Sequence, residues 1–249
     1  MKLPLPFLIS VLGLFVTLAP AAPTAETDER VAAAYVLALG RTATPAELSQ
    51  RTASGSDTIS ALVTRLRETL ARDPAATGAT SRKAFTDAFG RAPNAGEAVG
   101  TGTYTELLQG HVRSLTEHPD DYAGVLGRAY RFVISRDVYP EEIEYWKKQD
   151  PLPYALLVAC IEDWARRNQP GLMVTAGTAT ASINSLYLTT VRLSPTLAAE
   201  ARAAAGLAPV VEGEASTPLG RNVIAAGAGK IASSGRIYFV AAGSPELAR

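Results

Sequence analysis

AYRFVISRDVYPEEIEYW, residues Ala129–Trp146, is the stretch from which the rest of the chain can be understood. Tyr130 and Ile134 lie four positions apart, the spacing at which two apolar side chains share one face of a helix. Arg136 follows that helix. Pro140 stands where a second helix can begin, because proline lacks an N–H that the first turn of a helix would leave unpaired anyway. The stretch therefore predicts a helix, a short turn and a second helix.

Two weaker copies of this pattern occur upstream. Each copy has an aromatic residue, an arginine six positions later and a glutamate six positions beyond the arginine. The aromatic–arginine pairs are Tyr35 and Arg41, Phe85 and Arg91, and Tyr130 and Arg136. The arginines are 50 and 45 residues apart, which predicts three related multi-helix units, each about 45–50 residues long, packed as one helical array. Together they form a helical repeat domain over residues 27–170, with unit one at 27–75, unit two at 76–120 and unit three at 121–170.

The turn after the first helix of each unit has a residue suited to end a helix. Gly40 and Gly90 stand where a left-handed backbone ends a helix, a conformation that glycine adopts readily. Unit three has Ser135 there, so we expect this end to be closed differently or to be slightly strained. The arginine that follows is interpreted as a tie to loop carbonyls or to the acid six positions on. The alternative is a contact with a ligand or partner at each turn.

Tyr145 and Trp146 close the quoted stretch. Aromatic residues at helical spacing are more often part of a core, and we favour that interpretation because of the apolar area that they offer. The alternative is a surface on which a sugar or a protein partner stacks. Cys160 is the single cysteine, which excludes an internal disulfide. Its apolar surroundings in sequence indicate a buried small hydrophobic residue rather than a nucleophile.

At these residues the chain resembles a bacterial family, the domain-of-unknown-function family four-two-one-four, which is distantly similar to phycobilisome linker domains. The resemblance covers residues 27–169 and is closest in unit three, at Tyr130, Arg136, Pro140, Tyr145 and Trp146. The chain departs from the family pattern at Ser135, where the family has glycine. It departs again in units one and two, which lack the Tyr-Trp pair. The resemblance implies an exported or surface protein that acts in adhesion or as a scaffold, and it supplies no catalytic residues.

The N-terminus has the pattern of a secretory signal peptide. Lys2 precedes an apolar run, Leu3–Leu18, and small residues follow at Ala19 and Ala21. Because a basic start, an apolar segment and an A-x-A site direct export and cleavage, we predict a signal peptide over residues 1 to 21, with cleavage after Ala21 or, failing that, after Ala25. The protein would then be periplasmic, cell-surface or secreted. The alternative is an uncleaved membrane anchor, although a spanning helix needs about 20 apolar residues.

The composition shifts after residue 170 towards Gly, Ala, Thr and Ser. Residues 171–207 are predicted to contain additional helices. One is expected at Ala179–Val191. A second is expected at Pro195–Ala205, because proline suits its start and Gly206 can end it. These helices would extend the repeat domain without adding a further complete unit.

Residues 208–249 are predicted to contain a linker followed by a β-hairpin. Its strands are expected at Asn222–Ala226 and Arg236–Ala242, and the second of these has the β-branched and aromatic residues typical of strands. An isolated hairpin is marginal in water, so it should pack on the helices or on a partner. The fold class is therefore mainly α, with a small C-terminal α/β-hairpin extension.

The sequence shows no catalytic, cofactor-binding or metal-binding motif. It has no C-x-x-C, H-E-x-x-H or G-x-S-x-G pattern. The acidic clusters Asp120-Asp121 and Glu141–Glu144 lack the spacing of a calcium loop and are interpreted as solvated helix starts. Without Lys2 the chain carries 23 basic and 24 acidic side chains, a net charge of −1, so nothing favours nucleic acid as a partner.

Two functions are consistent with this sequence. The first is an exported, non-catalytic scaffold, adhesion or protein-interaction module of the cell envelope, whose partner is a protein or an envelope polysaccharide and which contacts the membrane only through its export segment. The alternative is a carbohydrate-active or cell-wall enzyme that uses acidic residues near Tyr145 and Trp146. Such an enzyme needs two carboxylates facing each other across a cleft, about 5–10 Å apart. A weaker idea is a subunit whose C-terminal strands add to a partner's sheet.

Overall fold

The computed structural model describes residues 25–52, 57–97, 100–148, 151–169, 171, 188–192, 195–206, 222–224 and 236–240. These residues are mainly helical. The helices are α1 (Ala25–Leu39), α2 (Pro45–Thr52), α3 (Ile59–Arg72), α4 (Pro74–Phe89), α5 (Tyr104–Glu117), α6 (Pro119–Ile134), α7 (Pro140–Lys147), α8 (Tyr154–Asn168) and α9 (Pro195–Ala204). The predicted signal peptide lies outside the described residues. Within the described ranges, no helix is both long enough and apolar enough to span a membrane.

The helices begin and end at residues that satisfy their unpaired backbone groups. Asp73 separates α3 from α4, and its Oδ1 accepts the N–H groups of Ala75 and Ala76, each at 3.0 Å. Thr103 and Glu106 form a capping box at the start of α5, each side chain accepting a backbone N–H from the other residue. Proline begins α4, α6 and α7, because the first turn of a helix tolerates a residue without an N–H.

The helices pack in a recurring order. The most extensive helix contacts join α1 to α3, α4 to α5 and α6 to α8. In each case these are the first and last helices of one predicted unit. Further contacts cross between units, since α1 packs on α5 and α4 packs on α8. The first helices of units one and two, α1 and α4, are therefore each in contact with the last helix of their own predicted unit and with that of the next.

Two clusters of buried side chains form the interior. One joins α4, α5, α6, α7 and α8 and includes Tyr104, Leu126, Tyr130 and Trp146. The other joins α1, α3 and α9 and includes Tyr35, Ile59 and Leu197. The first cluster is built from one continuous part of the chain. The second needs α9, which follows unit three in sequence and yet completes the core of unit one.

Three short strands form one sheet, β1 (Leu188–Arg192), β2 (Asn222–Ile224) and β3 (Arg236–Val240). The strand order is β1-β3-β2, with β1 antiparallel to β3 and β2 parallel to β3. The predicted C-terminal hairpin is therefore not confirmed, because a hairpin joins antiparallel strands and β2 runs parallel to β3. The antiparallel partner of β3 is β1, which the sequence did not suggest.

The helix predicted over Ala179–Val191 is also wrong at its C-terminal end. Leu188–Arg192 is a strand. The reason lies in Thr189, Thr190 and Val191, whose branched Cβ atoms restrict side-chain rotation in a helix and favour a strand. The first nine residues of the predicted helix lie outside the described residues. By contrast, α9 begins at Pro195 as expected and is followed by Gly206 with φ +69°.

Candidate functional site

The turn after the first helix of each unit has the same ion pair, which we call the arginine clamp. Each clamp is a bidentate pair between the arginine and the glutamate six positions later. The Nη1–Oε2 and Nη2–Oε1 distances are 2.9 and 2.7 Å for Arg41–Glu47, 2.6 and 2.8 Å for Arg91–Glu97, and 2.7 and 2.6 Å for Arg136–Glu142. Two parallel charge-assisted bonds fix the plane of the guanidinium as well as its position.

Each clamp also binds the backbone of its own turn. Nη1 donates to the carbonyl of the residue after the arginine, at 3.0 Å for Thr42, 3.1 Å for Ala92 and 2.8 Å for Asp137. The glutamate Oε2 accepts the N–H of the residue three positions before it, at 2.8 Å for Thr44, 2.6 Å for Asn94 and 2.9 Å for Tyr139. The clamp therefore closes the turn and satisfies backbone groups that no helix pairs.

The aromatic residue six positions before each arginine lies under its guanidinium. The distance from Cζ to the ring centroid is 5.4 Å for Arg41 over Tyr35, 4.9 Å for Arg91 over Phe85 and 5.0 Å for Arg136 over Tyr130. These distances are within the range of cation–π attraction. The structure therefore brings together, in all three units, the aromatic residue, the arginine and the glutamate whose spacing recurs in the sequence.

The clamps keep their glutamates ionised. Hydrogen bonds from Arg41 lower the pKa of Glu47 to about 2, and hydrogen bonds from Arg91 lower the pKa of Glu97 to about 2. Hydrogen bonds from Arg136 likewise lower the pKa of Glu142. A carboxyl group that acts as a general acid needs a raised pKa. The clamp glutamates are therefore suited to holding a turn, and the interpretation of the arginines as ties within the turn is confirmed.

The backbone before each arginine is left-handed in all three units. The φ angle is +67° at Gly40, +67° at Gly90 and +54° at Ser135. Ser135 closes its helix in the same way as the two glycines, so of the two expectations for this residue, the strained one applies. A non-glycine residue in this conformation costs about 1 kcal/mol, because its Cβ approaches the following carbonyl oxygen.

Gly40 and Gly90 are each covered by a tyrosine from the next unit. A Cβ atom on Gly40 would lie 2.5 Å from Cδ2 of Tyr104, and a Cβ atom on Gly90 would lie 2.5 Å from Cγ of Tyr154. Both tyrosines are buried first residues of the last helix of their unit. Ser135, at the end of the first helix of unit three, is exposed. This role of the tyrosines was not predicted from the sequence, although both stand at the start of the last helix of their unit.

A buried polar cluster lies beside the first of these contacts. The Asp87 carboxylate is fully buried, with its Oδ2 2.6 Å from Nζ of Lys83 and 2.7 Å from the hydroxyl of Tyr104. Burial raises the pKa of Tyr104 and lowers that of Lys83. The cluster thus fixes the ring that covers Gly40. The spacing of Lys83 and Asp87, four residues apart on one helix, was the only sequence signal for it.

Two further hydrogen bonds join neighbouring units. Thr105 Oγ1 donates to the carbonyl of Leu37 at 2.8 Å, and Arg128 Nε donates to the carbonyl of Phe89 at 2.7 Å. Both acceptors lie near the C-terminal end of a first helix, where carbonyls have no partner in the helix. The units are therefore held by polar groups as well as by apolar packing.

The Tyr145-Trp146 pair is divided between core and surface. Trp146 is only 8% exposed, and its Nε1 donates to the hydroxyl of Tyr130 at 3.1 Å. Tyr145 is 55% exposed. The core interpretation is confirmed for Trp146 and wrong for Tyr145, because consecutive residues of a helix point about 100° apart. Pro140 begins α7, and Cys160 is buried, both as predicted.

The part of the chain that the structure describes contains no group of three or more His, Cys, Asp or Glu side chains that could hold a metal ion. Comparisons with protein-family models, with curated proteins and with solved structures find no match to this chain.

Proposed function

We propose that this protein is an exported, non-catalytic scaffold or protein-interaction module of the cell envelope. The observation that carries the proposal is the arginine clamp. The glutamate that recurs in all three units binds an arginine and a backbone N–H in each, so the most regular acidic feature of the chain is used to hold turns. Repeated rigid turns with engaged carboxylates are typical of a structural framework, and the three clamp glutamates, held ionised by their arginines, are not suited to donating a proton.

The three units are proposed to stack as one helical array. Two contacts in the same register support this proposal. The first helix of unit one packs on α5, the first helix of unit two packs on α8, and a tyrosine covers the turn glycine at both junctions. In an array of this kind each unit buries its apolar face against its neighbour and the outer surface remains available for partners. The resemblance to family four-two-one-four is consistent with this architecture.

Export is proposed from the N-terminal pattern of Lys2, the apolar run Leu3–Leu18 and the small residues ending at Ala21. The expected mature protein begins at Ala22. N-terminal sequencing of the protein recovered from the envelope fraction tests this directly. A start at Met1 in that fraction would favour the uncleaved anchor, and recovery only from the cytosol would contradict export.

The proposed partner surface is on unit three. Three large aromatic or apolar side chains are exposed among the described residues, and all three, Tyr139, Tyr145 and Trp164, belong to unit three. Tyr139 is also stacked against Arg136, with Cζ 4.3 Å from the ring centroid. Exposed tyrosine and tryptophan are the residue types most enriched where proteins bind each other. Unit three is therefore the proposed contact for a protein partner.

The experiment is affinity capture with the mature chain from envelope extract, followed by rebinding of the recovered protein in purified form. Tyr145→Ala and Trp164→Ala are expected to weaken rebinding at least tenfold with little change in thermal stability, because both side chains are exposed. Arg72→Ala, at an exposed position of unit one, is the matched control and should bind like the wild type. Equal binding by all four proteins would contradict the unit-three surface.

The alternative of a carbohydrate-active enzyme is favoured by one observation, the exposure of Tyr145 beside the exposed carboxylates Glu141 and Glu144. A sugar could stack on such a ring. The test is release of reducing ends from envelope polysaccharide by the purified chain, compared with the variant Glu141→Gln/Glu144→Gln. Activity in the wild type that is lost in the variant would overturn the scaffold proposal.

A further inference from the structure

His111 of α5 packs against two aromatic rings of α4. Its ring centroid is 5.5 Å from that of Phe85 and 5.3 Å from that of Phe89, and the interplanar angles are 83° and 68°. The two phenylalanine rings are themselves 4.6 Å apart. Edge contacts of this kind are favourable between uncharged rings. The neutral imidazole is therefore part of the packing between α4 and α5.

One ring nitrogen of His111, Nε2, is buried without a hydrogen-bond partner among the residues that the structure describes. A neutral imidazole can carry its hydrogen on Nδ1 and leave Nε2 as an unused acceptor, whereas an imidazolium has an N–H donor at both nitrogens. Protonation would therefore place a charged donor in a contact that offers it no acceptor. Burying a charged donor that is left unsatisfied costs more than burying the neutral ring.

The charged groups that meet the two phenylalanines are cations. The guanidinium of Arg91 lies over Phe85, with Cζ 4.9 Å from the ring centroid. Arg128, on α6, donates from Nε to the carbonyl of Phe89 at 2.7 Å. A second positive charge on His111 would gain nothing from either guanidinium, because like charges repel.

The acids of the surrounding helices do not compensate for a charge on His111. Helices α1, α4 and α6 pack on α5. The buried Asp87 of α4 is bonded to Lys83 and Tyr104, and Arg30 of α1 is bonded to Glu26 and Glu200. The remaining charged groups of α5 and the acids of α6 are exposed: Glu106, Arg113, Glu117, Asp120 and Asp121. Burial lowers the pKa of His111 from its ordinary value of 6.5.

The contact between α4 and α5 carries the junction of units one and two. Tyr104 begins α5, donates to Asp87 of α4 and covers Gly40. Thr105, the next residue, donates to a carbonyl of α1. His111 is seven positions after Tyr104, so the two side chains lie on the same face of α5. A change in how His111 packs on α4 is therefore transmitted along one helix to the ring at the junction.

We propose that His111 is a pH-sensitive switch at the junction of units one and two. The neutral ring holds α5 against α4. Uptake of one proton from solvent at the unprotonated ring nitrogen loosens this contact and weakens the packing of Tyr104 on Gly40. The inference goes beyond the scaffold proposal and does not depend on it, because it concerns titration and stability rather than the binding of a partner.

Linkage gives the direction of the pH effect. Because the pKa of His111 is lowered in the folded chain, the unfolded chain binds this proton more readily. The stability that the neutral ring contributes is complete above about pH 6.5 and is lost as the pH falls through the lowered pKa. This range lies above 4.5, the ordinary pKa of a glutamate, so the loss precedes the titration of the clamp carboxylates.

The first test is an NMR titration of the imidazole Cε1–H signals of the mature chain between pH 8 and pH 4.5. The chain has two histidines, His111 and His118, so a His118→Asn variant leaves a single signal and assigns both. The His111 signal is expected to titrate below 6.5. Titration at or above 6.5 would overturn the proposal, because attraction of the imidazolium to the two phenylalanine faces would then outweigh the cost of burial.

The second test compares urea unfolding of the wild type, His111→Gln and His118→Asn at pH 7 and pH 5. The unfolding equilibrium constant of the wild type should rise by about threefold or more over that range relative to His111→Gln, because one proton accounts for at most about tenfold per pH unit. His118 is exposed, so His118→Asn should keep the pH dependence of the wild type. Equal pH dependence in the wild type and His111→Gln would contradict the proposal. If His111→Gln lowers the helix content, His111→Phe replaces it.

Hydrogen exchange shows whether the loosening occurs at the junction. After correction for intrinsic rates, amides of α4 and α5 should lose more protection than those of α6 when the wild type is moved from pH 7 to pH 5. His111→Gln should show no such difference. Equal loss of protection in all three helices of the wild type would overturn the assignment of the switch to the junction of units one and two.

Discussion

The inner turns at Gly40 and Gly90 and the outer turn at Ser135 have the same clamp and nearly the same backbone, but different neighbours. All three have a left-handed residue followed by an arginine bound to a glutamate. At the inner turns a tyrosine ring from the next unit occupies the space where a Cβ would be, whereas Ser135 is exposed. The turn itself accepts a side chain. What requires glycine is the next unit.

The largest expected effect is the addition of one methyl group to an inner turn. Gly40→Ala and Gly90→Ala should each lower the free energy of unfolding by about 3 kcal/mol, because a left-handed alanine and a clash with a buried ring add together. Urea unfolding followed by circular dichroism measures the loss. Gly206→Ala is the matched control, since Gly206 has φ +69° with nothing within 4 Å of a Cβ, and it should cost only about 1 kcal/mol. If Gly40→Ala and Gly206→Ala lowered the free energy of unfolding equally, the tyrosine that covers Gly40 would not be the reason that glycine is needed there.

A double-mutant cycle separates the turn from its neighbour. In a Tyr154→Ala background, Gly90→Ala should lower the free energy of unfolding by only about 1 kcal/mol. The remaining loss of about 2 kcal/mol is absent there, because the ring that a Cβ would clash with has been removed. Tyr154→Ala alone is expected to be destabilising, because it empties a buried site. The same urea experiment on the four proteins measures the coupling. If the two losses of unfolding free energy were additive, the need for glycine at position 90 would come from its backbone conformation and not from Tyr154.

A pH experiment tests what the inner and outer turns share. The clamps hold the pKa of Glu47 and Glu97 at about 2 and lower that of Glu142, against an ordinary value of 4.5. Folding therefore favours the ionised carboxylates, and their stabilisation is complete above about pH 4.5 and is lost as pH falls towards 2. The triple variant Glu47→Gln/Glu97→Gln/Glu142→Gln should lose less stability than the wild type between pH 5 and pH 2.

The control for this experiment is a triple variant with the same change in charge at exposed positions, Glu68→Gln/Glu117→Gln/Glu144→Gln. It should keep a pH dependence close to that of the wild type. Urea midpoints measured at half-unit intervals of pH give the slopes. If the clamp variant and the control had the same slope, the clamps would contribute nothing that depends on ionisation.

The smallest expected effect is at the outer turn. Ser135→Gly should raise the free energy of unfolding by about 0.5–1 kcal/mol, because glycine removes the strain of a left-handed serine but loses more entropy on folding. A change in melting temperature measures it. Ser135→Ala should be close to neutral, since no ring covers this turn. A loss as large as that of Gly90→Ala would mean that the outer turn is covered as well.

Much of the local structure could be predicted because its causes are close together in the sequence. The aromatic residue, the arginine and the glutamate of a clamp are six positions apart, so a repeated spacing was enough to align three turns. The shared face of Tyr130 and Ile134 followed from helical periodicity in the same way, and both are buried. One failure was also local in origin. Thr189–Val191 was assigned to a helix although its branched side chains favour the strand that forms.

Sequence spacing by itself determined the three turns, their helices and the proline and glycine residues at their ends, because these depend on interactions within about six residues. Only the tertiary structure decided why Gly40 and Gly90 must be glycine while Ser135 need not be. The tyrosines concerned are 64 residues further along the chain in both cases. It also decided that α9 completes unit one, through bonds from Glu200 to residues 141 and 170 positions away. Contacts over such separations depend on which surfaces meet after the units pack, and a local sequence pattern does not predict which surfaces those are.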